Sequence, residues 1–434
     1  MHNLAMDAYE KSLETMYRLR RFGIKLGLAT IKNILKNLGN PQNNFQSIHV
    51  AGTNGKGSVA SALASMLHAA GYKTGLYTSP HLIHFNERIS INNQHISNAD
   101  VVAAYEAVNR VHYGEREPTF FEFATAMALY EFNRQNVDWA VIETGMGGRL
   151  DATNMIKPAL SIITNISLEH RDYLGNTLSQ IAGEKAGIIK PRTPVVTAIK
   201  QPVARAVVKE VAQNKSAPLY RFGKDFRVKR LRTGGLSYYG IDNVLPNVQP
   251  ALLGDHQIDN TALALASVEI LNRKKTEISL QHIKDGLANT RWPGRLDVVS
   301  KNPFIILDGA HNLIAARNLG RYLTRNFANR KLTMVVGILD DKPYVSMLKS
   351  LLCACDRVIL TRARINRALD PEILHAVAET LVADTAVISS VDHAVAHAIR
   401  SARPKDVICI AGSLYVVGEA LQALQKGLIK MVRT

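Results

Sequence analysis

The chain has 434 residues, 47% hydrophobic and 21% charged, with a formal net charge of +17. That length exceeds what one hydrophobic core organises, so two or three domains are expected. No uninterrupted apolar run approaches the roughly 20 residues of a membrane span, so no membrane partner is expected. Lys and Arg are dispersed, without a basic block or an aromatic-interleaved ladder, so the charge serves anionic small molecules as readily as nucleic acid.

The first residues lack the charged-then-apolar order of a signal peptide. Three cysteines, Cys353, Cys355 and Cys409, cannot all pair, and the first two lie in an apolar, helix-like stretch. A reduced, cytoplasmic, monomeric protein with buried thiols is the expectation.

In chain order, the first strand-like run is 47–50, and it ends in Gly52-Thr53-Asn54-Gly55-Lys56-Gly57-Ser58 before a helical run to residue 70. Small residues let successive N–H groups point into one hollow, and the following helix N-terminus adds positive potential. Lys56 brings a mobile ammonium for phosphate oxygens, so the segment reads as a nucleoside-triphosphate cradle. It departs from the common G-x-x-x-x-G-K-[ST] spacing: only Thr53 and Asn54 separate Gly52 from Gly55, and Gly57 intervenes before Ser58.

A second strand at 73–78 runs into Thr78-Ser79-Pro80-His81, a hydroxyl at a strand's carboxyl end or simply a turn, and then into Asn86-Glu87-Arg88-Ile89, read as a surface loop. Helices are expected at 98–110 and 120–135; Phe121 falls in an aromatic run at helical spacing, which reads as core more readily than as ligand contact. The strand 137–143 ends on Glu143, where a carboxylate is costly unless it caps the turn, pairs with a cation or binds metal. The glycine-rich stretch 145–154, containing Asp151, follows. Another apolar strand, 160–165, leads to Ser167, Glu169 and His170, and a fifth is expected at 194–198. Lys185 sits among small and apolar residues, and from sequence alone it reads as a surface helix lysine.

Residues 221–254 alternate aromatic and polar residues around Gly234-Gly235, a β-rich insertion, and helical character returns at 260–271. After Trp292-Pro293-Gly294-Arg295 a second α/β rhythm begins, with strands at 304–307, 332–336, 358–361, 386–389 and 407–411. Two domains follow, 1–295 and 296–434. The fold class is α/β: an N-terminal P-loop, parallel-sheet ATPase domain plus a smaller, Rossmann-like, doubly wound C-terminal domain. By the strand-end rule Asp308 and His311 face a crevice, Arg295 can reach phosphate, and the turn carrying Ser413 is their counterpart after the last strand.

Taken together, these motifs resemble the Mur ligase superfamily, and within it folylpolyglutamate synthase/dihydrofolate synthase. The resemblance rests on HVAGTNGKGSVA at 49–60, TSPHL at 78–82, NERI at 86–89, GGRLDATN at 147–154, ISLEH at 166–170, EKAGI at 184–188, GDHQIDN at 254–260, WPGR at 292–295, LDGAHN at 307–312 and GSLY at 412–415. It implies an ATP-dependent amide ligase, with ATP as co-substrate on Gly52, Thr53, Asn54, Gly55, Lys56, Gly57 and Ser58. Ser79, Glu143 and His170 match Mg²⁺-binding positions, and Lys185 matches a lysine that is carbamylated in many members to serve a second Mg²⁺. Asn260, Arg295, Asp308 and His311 match groups that close on the nucleotide. His311 and Ser413 match groups that position glutamate, Phe121 matches the aromatic surface near the pterin, and Asp151 matches a further substrate-binding position. Lys56, His170, Lys185 and His311 are the implied catalytic set.

The implied reaction phosphorylates a carboxylate to an acyl phosphate, which the amine of L-glutamate then attacks. The intact Leu150-Asp151 points to the branch that glutamylates both dihydropteroate and reduced folates; a polyglutamylating enzyme alone is the alternative. A ligase of peptidoglycan precursors would carry a sugar-nucleotide-binding domain before the cradle, and only about fifty residues precede Lys56. A P-loop ATPase stimulated by nucleic acid and a non-catalytic nucleotide-binding module are the readings from other classes; no nucleic-acid partner is expected.

Overall fold

The computed structural model describes residues 2–23, 25–231 and 235–428. The chain forms two compact units, Met1–Ala251 with Gln257–Arg291, and Leu252–His256 with Trp292–Thr434.

In the first unit the strands are β1 (Gln46–Ala51), β2 (Thr74–Tyr77), β3 (Ile89–Ile91), β4 (Gln94–His95), β5 (Trp139–Glu143), β6 (Leu160–Ile163), β7 (Val195–Thr197) and β8 (Leu219–Arg221). They make one eight-stranded sheet in the order β4-β3-β2-β5-β1-β6-β7-β8. The run from β2 to β8 is parallel, and β3 and β4 add an antiparallel edge. Parallel strands need both faces covered, and the apolar residues divide accordingly. Ile48, Val50, Val141 and Ile162 enter the core beneath the helix Lys56–Ala69. Ala140 and Ile142 enter the opposite core with Phe123 and Met127 of the helix Phe120–Arg134.

The helix Lys56–Ala69 is buried on every side from Gly57 to Leu67, which accounts for its small residues. A Cβ on Gly286 would lie 2.5 Å from the Met66 Cα, so only glycine lets the helix Leu280–Asn289 pack this closely. Ser65 Oγ donates to the Gly286 carbonyl at 2.8 Å, and Ser61 Oγ to that of Arg291 at 2.9 Å.

The β-rich stretch is a three-stranded antiparallel sheet, β9 (Arg227–Arg230), β10 (Leu236–Tyr239) and β11 (Val244–Val248). It packs Phe226, Leu236 and Tyr238 into the same core as the helix Lys56–Ala69. The buried Glu269 carboxylate accepts from Tyr238 Oη at 2.6 Å and from the amides of Ile241, Asp242 and Asn243, which pins the β10–β11 turn to the helix Asp255–Asn272.

The second unit carries β12 (Asp297–Lys301), β13 (Phe304–Asp308), β14 (Leu332–Val336), β15 (Arg357–Arg362), β16 (Asp384–Ser390) and β17 (Val407–Ala411), in the order β12-β13-β17-β14-β15-β16. All pairs are parallel except β12–β13. Strands β13 and β14 flank β17, so the connection between them crosses over it; this is the switch point where doubly wound sheets open a crevice.

Three expectations change. The helix Tyr344–Leu351 ends before the first two cysteines, leaving Cys353 exposed and Cys355 half-buried; only Cys409 is buried. The supposed surface loop at 86–89 is a 3-10 turn, Phe85–Arg88, with Phe85 and Arg88 buried and the Glu87 carboxylate accepting from the amides of Leu82, Ile83 and His84. Lys185 is buried, 4% exposed, where sequence alone placed it on the surface. Among the described residues no helix is long and apolar enough to cross a membrane.

Candidate active site

The loop after β1 is fastened to the segment after β6. Asn54 N donates to Asn165 Oδ1 at 3.0 Å, Thr53 N to the Asn165 carbonyl at 2.9 Å, and Ser167 N to Thr53 Oγ1 at 3.0 Å. Thr164 Oγ1 and Asn165 Nδ2 both donate to the Asn54 carbonyl, at 2.7 and 2.8 Å. Gly52 (φ +151°) comes so close that a Cβ there would lie 1.8 Å from Thr164 Oγ1. Gly55 (φ +84°) leads into the helix, and a Cβ there would meet Asn260 Oδ1 at 2.4 Å. Asn260 Nδ2 donates to Gln257 Oε1 at 2.8 Å, and Gln257 Nε2 to Ser58 Oγ at 3.2 Å. Thus the loop 52–58 and Asn260 form one assembly. Lys56 opens the helix, so its ammonium lies where the helix N-terminus already favours anions.

Lys56 Nζ donates to the Thr53 carbonyl at 3.3 Å and lies 3.8 Å from Glu143 Oε1. Glu143 ends β5, the strand beside β1, and is 4% exposed. Its Oε2 accepts from Ser79 N at 3.2 Å, so Ser79, Glu143 and Lys56 are brought together. Lys185 reaches the same loop from behind, donating to the Gly52 carbonyl at 2.7 Å. Burial first, and then the charge of Lys56, pull its ammonium down to about 7. The helix carrying it, Leu178–Ala186, starts at a Thr177/Gln180 capping box. Gly148 fits against this helix with no room for a side chain: a Cβ would lie 2.9 Å from the carbonyls of Glu184 and Lys185. Arg149 N donates to the Glu184 carbonyl at 2.7 Å. His170 is exposed at the start of the short helix Arg171–Leu174, with φ +51°, beyond the segment that fastens the phosphate loop.

Phe121 lies in the first turn of the helix Phe120–Arg134, which a Thr119/Glu122 capping box begins. Its half-buried ring lies 6.2 Å from that of Tyr77 and covers Gly145, where a Cβ would be 2.4 Å from the ring. The Asp151 carboxylate is committed within its loop. It accepts from Met146 N at 2.8 Å, Thr153 N at 3.0 Å, Thr153 Oγ1 at 2.5 Å and the Gly145 amide. Burial raises its pKa, and those four donors oppose the shift.

In the second unit, Asp308 ends β13 and is buried; Leu296 N donates to its Oδ2 at 2.8 Å. Burial raises its pKa, with the Arg295 charge the largest opposing influence. Arg295 Nη1 donates to the Gly309 carbonyl at 3.1 Å, and His311 Nδ1 lies 2.8 Å from the same oxygen, which makes Nδ1 the protonated nitrogen. Arg295, Asp308 and His311 are thereby one cluster around the turn after β13. Ser413 is buried at the parallel turn after β17, where its Oγ accepts from Val416 N at 3.1 Å and caps the helix Leu414–Ala423.

Sequence reasoning passed over Thr164 and Gln257. Thr164 ends the same apolar run as Asn165, and Gln257 stands inside the GDHQIDN stretch, so the strand-end rule and the motif itself were the signals that could have found them.

A strand–loop–helix phosphate cradle on a parallel sheet, with a buried carboxylate and two lysines at its mouth and root, defines an enzyme that handles nucleoside triphosphates. The family model described as Mur ligase middle domain matches residues 50–268, and that described as Mur ligase, glutamate ligase domain, matches 294–414. The dihydrofolate synthase/folylpolyglutamate synthase of Bacillus subtilis is 36% identical over 431 residues, 96% of this chain and 99% of the relative. Escherichia coli FolC, solved in complex with DHPP and ADP, superposes with a TM-score of 0.88 at 29% identity over 98% of both chains. The bifunctional folylpolyglutamate synthase/dihydrofolate synthase of Yersinia pestis, solved with AMPPNP and Mn ion, gives 0.87 at 31% identity over 96% of this chain and 98% of that one. The chain belongs to the Mur ligase family, in its folylpolyglutamate synthase/dihydrofolate synthase branch, and is an ATP-dependent ligase.

Proposed function

We propose that this chain joins L-glutamate to dihydropteroate and also extends folyl-(poly)glutamates, using ATP for both. The observation that carries the reading is the meeting of Lys56, Glu143 and Lys185 on one phosphate loop, in a chain that spans the full length of a bifunctional relative. A pteroyl or glutamyl carboxylate oxygen attacks the γ-phosphorus of ATP; the new O–P bond forms as the β,γ-bridging bond breaks and ADP leaves. The glutamate nitrogen then attacks the acyl carbon, the C–N bond forms, phosphate departs, and the amine releases its proton. Lys56 offsets the charge that moves onto the leaving ADP, and the amides of the loop 52–58 orient the triphosphate. Arg295, Asp308 and Asn260 are assigned to the nucleotide, His311 and Ser413 to glutamate, and Phe121 to the flat pterin.

The donor set fits a hard divalent cation. Glu143 offers a buried carboxylate, Ser79 a hydroxyl, and Thr144 Oγ1, next along the chain, is buried with no hydrogen-bond partner among the described residues. Ser79, Glu143 and His170 are the residues that would hold Mg²⁺, which would supply neutralisation of phosphate charge there. We assign Lys185 to a second ion after carbamylation, in which its neutral amine adds CO₂ and loses a proton. We place the chain in the cytoplasm, whose reducing conditions accord with its three free cysteines.

The test is incubation with ATP, Mg²⁺ and glutamate, once with dihydropteroate and once with a reduced folate. ADP and a product one glutamyl unit heavier are expected in both, and chelation of the metal stops both. Product with the folate alone reduces the reading to polyglutamylation. No product in either overturns it.

A further inference from the structure

We propose that His49 is a positioning residue: acting through Thr153, it holds the Asp151 carboxylate that closes the glycine-rich loop 145–151 beneath the pterin site. This rests on the function proposed above for its effect on substrate, although the hydrogen-bonded relay itself does not.

His49 lies on β1, three residues before Gly52. Its neighbours Ile48 and Val50 enter one core, so the imidazole points to the opposite face, where Ala152 and Ile156 pack. It is fully buried, and burial together with the charge of Lys190 holds its pKa down to about 3, so the ring is neutral and has a single N–H. The direction of each bond then follows. The Asp151 carboxylate accepts the Thr153 hydroxyl proton at 2.5 Å. The hydroxyl oxygen is left to accept, and His49 Nε2 stands 2.8 Å from it, so Nε2 carries the proton. Nδ1 is a bare lone pair, buried without a hydrogen-bond partner among the described residues.

An apolar side chain would fill this place without stranding a nitrogen, because a buried unsatisfied polar atom costs stability. The use left for the imidazole is its one donated bond. That bond fixes the Thr153 hydroxyl, which together with Thr153 N holds Asp151 Oδ1, while Asp151 Oδ2 takes the Met146 amide. The loop so held begins two residues after Glu143, lies against Phe121 at Gly145, and rests on the Lys185 helix at Gly148. The phosphate loop's own bonds to Thr164, Asn165 and Ser167 do not pass through His49. A fault at His49 is therefore transmitted to the pterin side and spares the nucleotide side.

The experiment compares wild type, His49→Phe, Thr153→Val, the double variant, and His49→Gln, whose side-chain amide can replace the Nε2 donor. In ligand-free protein, amide deuterium exchange over residues 144–153 should quicken about tenfold in either single apolar variant, the size of one lost hydrogen bond. The double variant should add nothing further, and His49→Gln should stay near wild type. In turnover, KM for dihydropteroate should rise by about the same factor while KM for ATP and kcat stay within about twofold. Unchanged exchange, a matching rise in the KM for ATP, or a His49→Gln variant as impaired as His49→Phe overturns the proposal. Should His49→Phe fail to fold, Thr153→Val and His49→Gln decide the matter by the same readouts. A wild type that makes no product from dihydropteroate removes the proposed function, and the exchange measurement still judges the relay.

Discussion

Lys56 faces two competing partners in the protein as it stands, the Thr53 carbonyl at 3.3 Å and Glu143 at 3.8 Å, both weaker than the contacts a triphosphate offers an ammonium. Lys56→Ala removes that cation from the γ-phosphoryl transfer and should lower ADP release by about a hundred- to a thousandfold with either acceptor, the scale of a lost electrostatic group at a transferring charge. Equal loss in both reactions is the expected result, since one cradle serves both; survival of one would separate them. Lys185 makes a different demand. A buried amine with a pKa near 7 is unusually free to react as the neutral base, so protein exchanged into ¹³C-labelled bicarbonate should show a carbamate carbon resonance that Lys185→Arg lacks. His49 has a pH signature in folding. Its pKa falls from 6.5 in the unfolded chain to about 3 in the fold, so between those values the unfolded chain binds the extra proton. Stability is therefore lost as pH falls from 6.5 towards 3, by up to about 1.4 kcal/mol per pH unit from this residue. Denaturant midpoints across that range should fall less steeply in His49→Phe than in wild type.

At the level of elements, the parallel strands were legible because strands buried on both faces are written as uninterrupted apolar runs, and their polar ends mark where chemistry gathers. Expected strands at 332–336 and 407–411 coincide with β14 and β17. The edges were harder to see. Strand β3 is mostly buried but only three residues long, β4 is two exposed residues, and β12 is partly exposed along its length, so none writes a long apolar run. The burial of Lys185 was illegible because it depends on contacts distant in sequence: Gly148 must meet the Glu184 and Lys185 carbonyls before the side chain can turn inward to Gly52. The commitment of Asp151 and Ser413 to local backbone donors was hidden for a related reason, since a short polar side chain after a strand serves a cap and a ligand equally well. Packing between helices yields a prediction here. Gly286→Ala places a methyl group 2.5 Å from the Met66 Cα, so the helices Lys56–Ala69 and Leu280–Asn289 must part. Overpacking of this kind costs about 1–3 kcal/mol, read as a lower denaturant midpoint. Because Lys56 starts the displaced helix, KM for ATP should rise as well.

For the whole molecule, the net charge of +17 is the property that no single site explains. Its lysines and arginines are spread along the chain, so its field acts at long range and at the encounter stage. The proposed substrates differ in what they offer that field: dihydropteroate carries one carboxylate, whereas a folate with several glutamates carries one more for each residue added. Attraction between exposed charges is screened as the Debye length contracts from about 10 Å at 0.1 M salt to about 3 Å at 1 M. Raising KCl across that range should therefore increase KM for a triglutamylated folate several-fold, while KM for dihydropteroate changes less than about twofold. The comparison is internal, since ATP, metal and glutamate are common to both reactions and their own salt dependence cancels in the ratio. Equal salt sensitivity for the two acceptors would mean that the dispersed charge serves solubility alone, and that the growing anionic tail is recognised by short-range contacts.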